Sequence, residues 1–161
     1  MRRTVAGLTL VLALALPLSA CSPDHSGSGT AAVAAEGKLD KAAAAQRWAQ
    51  VTDPYEKVMA SYHTAHDGGQ PLEMQTGLAS ATANALRARV QGLRATTWPD
   101  DVAANVKKIA DADEKAAKEW DAAAAAKTAD EAYDDAGKAM ALNTLPEIDT
   151  VKSALGVTSA S

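Results

Sequence analysis

Phenylalanine is absent from these 161 residues, cysteine occurs once, and aromatic side chains make up only 4% of the chain. One cysteine excludes a disulfide within the chain, so a folded domain has to be held by packing alone. With three tryptophans, three tyrosines and no phenylalanine, few large side chains are available to fill a core, and small aliphatic residues must do most of it. Basic excess is missing as well. Sixteen Lys and Arg against twenty Asp and Glu give a net charge of −4, which removes the electrostatic case for binding nucleic acid. No apolar run reaches the roughly 20 residues that a membrane-spanning helix needs.

Signatures of chemistry are also sparse. No serine or histidine arrangement suggests a nucleophile, no glycine-rich loop follows a strand, and no carboxylate pair stands on an apolar face. The expectation is a protein that is not an enzyme and carries no cofactor. The best metal candidates are His63 and His66, three apart on one helical face with Asp67 adjacent,. Two imidazoles are too few for a structural zinc site, and the Glu-x-x-His pairs of di-iron bundles are absent. Asp130, Glu131, Asp134 and Asp135 form an acidic run without the glycine-centred spacing of a calcium loop. They suit the first turns of a helix, where the dipole favours negative charge.

What is present begins at the N-terminus. Arg2 and Arg3 precede an apolar stretch, Val5 to Leu18, of 14 residues that contains Pro17. It is too short for a comfortable span and is followed by the small residues Ser19 and Ala20 and by Cys21, the pattern of a cleaved export signal. Leu18-Ser19-Ala20-Cys21 resembles the lipobox of bacterial lipoproteins. The resemblance implies a signal peptide over residues 1–20, a diacylglycerol on Cys21, and palmitate-class acyl chains that hold the protein to the outer side of the cytoplasmic membrane. Two or more such chains give stable anchoring, since each buried methylene contributes about 0.8 kcal/mol. Residues 1–20 hold two of the sixteen basic groups and none of the acidic ones, so the remainder is more acidic still.

Residues 21–37 are small, polar and unpatterned, and read as a tether with a reach of roughly 20–25 Å. His25 lies within it. Beyond the tether the chain is alanine-rich, a composition that favours helix because alanine gives up almost no side-chain entropy on entering one. The domain is expected over 38–157, with a disordered tail at 158–161.

A first helix from near Leu39 to His66 carries Trp48, Val51, Tyr55, Val58, Tyr62 and Ala65 at alternating spacings of three and four, one continuous face. That register runs across Pro54, which favours one helix bent there over two. Asp67-Gly68-Gly69-Gln70-Pro71 reads as a turn. A second helix from Leu72 or Leu78 to Arg94 turns Leu78, Ala85, Leu86, Val90 and Leu93 inward, with Arg87, Arg89 and Arg94 on outer or flanking positions. Trp98-Pro99-Asp100-Asp101 is the sharpest corner, with Pro99 in the first turn of a third helix.

That third helix runs to about Ala126, with Val102, Val106, Ile109, Ala112, Ala116, Trp120 and Ala123 inward. Outside, Lys107, Asp111 and Lys115, and Glu114 with Lys118, are spaced to pair. Thr128-Ala129-Asp130-Glu131 is a capping box for a fourth helix with Tyr133, Ala136 and Met140 inward. Thr144-Leu145-Pro146-Glu147 repeats the pattern, and Gly156 suits a C-terminal cap.

The expected fold is all-α: an antiparallel up-down bundle of about four helices plus a short C-terminal helix. Trp48, Trp98, Pro99 and Trp120 are its expected structural residues. The whole resembles the small alanine-rich helical lipoproteins of actinobacteria, most of which have no assigned activity. The resemblance implies a membrane partner through the lipid, and an envelope protein or small ligand as the bundle's partner. A metal-binding or metal-sensing lipoprotein using His63 and His66 is the alternative.

Overall fold

A computed structural model describes residues 37–142 and 144–157. The signal-like segment, Cys21, His25 and the tail 158–161 lie outside the described residues. What is described is all-helical: α1 (Lys41–Asp67), α2 (Leu72–Arg94), α3 (Asp100–Ala125), α4 (Ala129–Ala141) and α5 (Leu145–Leu155), with no strand among the described residues.

Each boundary has a local cause. Asp40 caps α1 by accepting from the Ala43 backbone N–H at 2.8 Å, which satisfies one of the donors a helix start leaves free. Pro54 lies inside α1 without ending it. Trp48 and Val51 before it, and Tyr62 and Ala65 after it, are all buried, so packing of one continuous stripe outweighs the hydrogen bond that proline removes. Gly69, at φ 59°, makes the turn into α2, which starts at Leu72 rather than Leu78.

Pro99 occupies the N-cap position of α3, one place before the first turn expected for it, and its carbonyl accepts from Val102 and Ala103. Thr128 caps α4 through the Glu131 N–H, while Glu131 reaches back to Lys127 N–H. Thr144, expected to repeat this, makes no side-chain cap; Pro146 in the first turn stiffens the start of α5 instead,. Gly156 ends α5 at φ 72°.

The helices pack as a bundle in which the fourth position is shared. α2 lies between α1 and α3, α4 and α5 follow successive halves of α3, and α5 also meets α1. The core divides accordingly. Trp48, Trp98, Val102, Ile109, Val151 and Leu155 join α1, α3 and α5. Tyr62, Leu86, Trp120 and alanines 79, 83, 116, 117, 123, 136 and 139 join α1 to α4. The two parts of the core leave a break in the fourth position between Leu142 and Thr144.

Two inward and outward assignments are overturned. Tyr133 is 55% exposed; the short α4 buries Ala132, Ala136 and Ala139 instead, and the ring lies flat against His66. Arg89 is not on an outer position but only 4% exposed. Among the outer charges, Lys107 and Asp111 pair as the spacing predicts, at 2.5 Å, whereas Glu114 turns to Arg94 on α2 at 2.8 Å.

Candidate ligand-binding cavity

Arg89 follows Thr82 and Leu86 and precedes Leu93 at helical spacing, so its stem enters the core from α2. Asp113 follows Val106 and Ile109 and precedes Trp120 in the same way on α3. Asp113 is 7% exposed. The two meet as a bidentate pair, Arg89 Nε donating to Oδ2 at 2.7 Å and Nη2 to Oδ1 at 2.9 Å. The guanidinium also lies 4.6 Å from the centre of the Tyr55 ring on α1, a cation–π contact. Removing two charges from water is costly, and only this geometry offsets it.

The surroundings act on the acids. Burial pushes the Asp113 carboxyl up from its ordinary value, against the charge and hydrogen bonds of Arg89, which lower it. Burial likewise raises the Tyr55 phenol; Arg89 opposes the rise, and Asp113 and Glu56 reinforce it. Tyr55 is thus a neutral hydroxyl, able to donate.

Above this group lies a cavity of about 240 Å³ at the α4–α5 break. Tyr55, Arg89 and Asp113 line it with Met59, Ala116, Ala139, Met140 and Ile148, and Leu142, Thr144, Leu145 and His63 stand around it. His63 and Leu145 are exposed and mark its mouth. α4 contributes Ala139 and Met140 to its lining and α5 contributes Leu145 and Ile148, on either side of the junction between them. A second, more open groove of about 550 Å³ runs along α1 and α2 past the half-exposed Met74. It lacks any buried charged group.

The histidines singled out by spacing have different surroundings. His63 is exposed beside the cavity. His66 is half-buried, parallel to Tyr62 at 6.2 Å and to Tyr133 at 5.1 Å, with a buried Nδ1 that has no hydrogen-bond partner among the described residues. Asp67 is the last residue of α1. Among the described residues no group of three or more His, Cys, Asp or Glu is gathered so as to hold a metal ion. The acidic run occupies the first turns of α4, with Asp135 paired to Lys138 at 2.6 Å.

The tryptophans are packed. Trp48 meets Trp98 edge-on at 6.2 Å, and Trp98 Nε1 donates to the Leu93 carbonyl at 2.7 Å. Trp120 meets Tyr62 edge-on at 4.7 Å.

Sequence reasoning therefore missed the centre of the cavity, Arg89 and Asp113. The signal was available: each falls on the inward stripe of its helix, and a charge in that register demands a partner. No helix among the described residues is long and apolar enough to cross a membrane. No protein family, curated protein or solved structure matches this chain.

Proposed function

We propose that this chain is a lipid-anchored lipoprotein, held outside the cytoplasmic membrane through Cys21, whose helical bundle binds a small ligand without transforming it. The observation that carries the binding half is the cavity over Arg89 and Asp113. A largely apolar pocket with a few convergent polar groups is the usual form of a small-molecule site. At about 240 Å³ it lies below the 300–1,000 Å³ of pockets that enclose drug-sized molecules,, so the ligand is small or enters by one end. The anchoring half rests on the likeness of residues 18–21 to a lipobox.

Two measurements test the reading. Fractionation of cells should find the protein in membranes and Cys21→Ser released or left uncut; unchanged partition and maturation would remove the anchor. For binding, thermal unfolding of the full chain is followed against a library of small compounds. Saturable stabilisation is expected, lost in Arg89→Met/Asp113→Leu, which removes both charges together. If no compound stabilises the folded protein, the ligand-binding reading falls.

A further inference from the structure

The cavity's donors and acceptors define a ligand class. Asp113 occupies Arg89 Nε and Nη2 only, and no described residue accepts a hydrogen bond from Arg89 Nη1. Tyr55 lines the same space, and its hydroxyl makes no hydrogen bond to a described residue. Each Asp113 oxygen accepts one bond from Arg89 and keeps further lone-pair capacity. The floor of the cavity thus offers unused donors beside unused acceptors.

Charge narrows the choice. Arg89 and Asp113 cancel, so the floor has no net charge to neutralise an ion. A carboxylate would add a second negative charge beside Asp113, and an ammonium a second positive charge beside Arg89. Either would be left uncompensated away from water, where that is most costly. An ester or ketone brings an acceptor but nothing for Asp113. Met59, Met140, Leu142 and Ile148 supply an apolar wall, with two thioethers that adapt to irregular shapes.

Resting on the reading of this cavity as a ligand site, we infer that it takes an uncharged amide group bearing a short apolar substituent. The amide carbonyl accepts from Arg89 and Tyr55, and its N–H donates to Asp113. The exposed mouth at His63 and Leu145 lets the amide belong to the end of a longer molecule.

The test is a nuclear magnetic resonance titration of the ¹⁵N-labelled full chain with four probes of like size: butanamide, methyl propanoate, butanoate and butylammonium. The Arg89 Nε–H signal reports on the site. Butanamide should shift it saturably and bind roughly tenfold more tightly than either ion, the scale of one good hydrogen bond to a charged group. The ester should be several-fold weaker than the amide. Tyr55→Phe keeps the ring under Arg89 and should weaken butanamide about threefold, with the rest of the spectrum unchanged.

An ion that binds most tightly would overturn the ligand class while leaving the cavity as a site. An ester equal to the amide would remove Asp113 as an acceptor and overturn it too. If no probe shifts the Arg89 signal, both the class and the small-ligand reading fail.

Discussion

Two junctions between consecutive helices are built in different ways. At Thr96–Pro99, between α2 and α3, an aromatic ring packs into the turn, and a groove of about 390 Å³ lies beside it. Trp98 is 6% exposed and donates to Leu93, Thr96 bonds to the Gly92 carbonyl and to Arg47, and Leu39 N–H reaches the Thr97 carbonyl. At the α4–α5 break, Leu142 N–H bonds to Ala139 and Ile148 N–H to Thr144, and none of the described residues of the junction itself is aromatic. Leu145 stands 55% exposed and a cavity remains. A buried ion pair is found at the second place and not the first. A buried aromatic ring gives stability; a buried ion pair lining a cavity gives a place where something else can bind, at a cost in stability.

The comparison breaks most directly by removing what fills each place. Trp98→Ala should destabilise by ~3–5 kcal/mol, the range for a buried large aromatic, whereas Leu145→Ala should change stability by less than about 1 kcal/mol because most of that side chain is in water. Urea denaturation measures both; equal losses would mean that the two junctions are not different in kind.

Charge at the second place gives an effect of the same order. Asp113→Ala strands the buried guanidinium and should cost ~3–5 kcal/mol, while Arg89→Met/Asp113→Leu should be neutral or stabilising by ~1–4 kcal/mol. A double variant as unstable as the single one would show that the pair itself holds the helices together.

Glycines sharpen the contrast at smaller scale. A Cβ on Gly92 would stand 2.6 Å from Val51 Cγ1, so Gly92→Ala should lose about 1–3 kcal/mol by overpacking, and Val51→Ala should restore part of it. Gly137 in α4 has nothing within 4 Å, and Gly137→Ala should gain about 0.5–1 kcal/mol through helix propensity. Thermal melts of the three variants decide it.

The smallest effect is in acid. Asp111 is held below the ordinary carboxylate range by hydrogen bonds from Lys107 and then Arg94, and Glu114 by Arg94. Their contribution is present above the unfolded values near 4 and is lost as the pH falls through the folded ones. Asp113, raised by burial, has the opposite sign: its contribution is present below the unfolded value and lost as the pH rises through the folded one. Arg94→Gln should therefore flatten the fall in stability on acidification, and Asp113→Asn should steepen it. Denaturation midpoints followed from neutral pH to about 3 read the slopes; identical slopes would cancel the distinction between surface and buried pairs.

Much of this was legible from spacing. The stripe from Trp48 to Ala65 carried α1 through Pro54, and Trp98-Pro99 marked the turn between α2 and α3. Thr128 and Gly156 fixed helix ends through contacts within a few residues. Tyr133 misled because a short alanine-rich helix can bury alanines alone and leave its one ring outside. Arg89 misled because an arginine among exposed arginines looks like another surface charge, although its register with Leu86 and Leu93 was the inward one.

The sequence by itself determined the helices, most of their boundaries and most of the residues that face in, because caps, glycine, proline and a 3.6-residue period act over one or two turns. Arg89 was expected on an outer position and Asp113 was not singled out, and both are buried in the structure. Only the tertiary structure decided that these two, 24 residues apart, meet each other over Tyr55, and that the break after α4 opens above them. Which faces of different helices come together depends on how side chains of every helix interlock at once, and no local pattern in one helix contains that information.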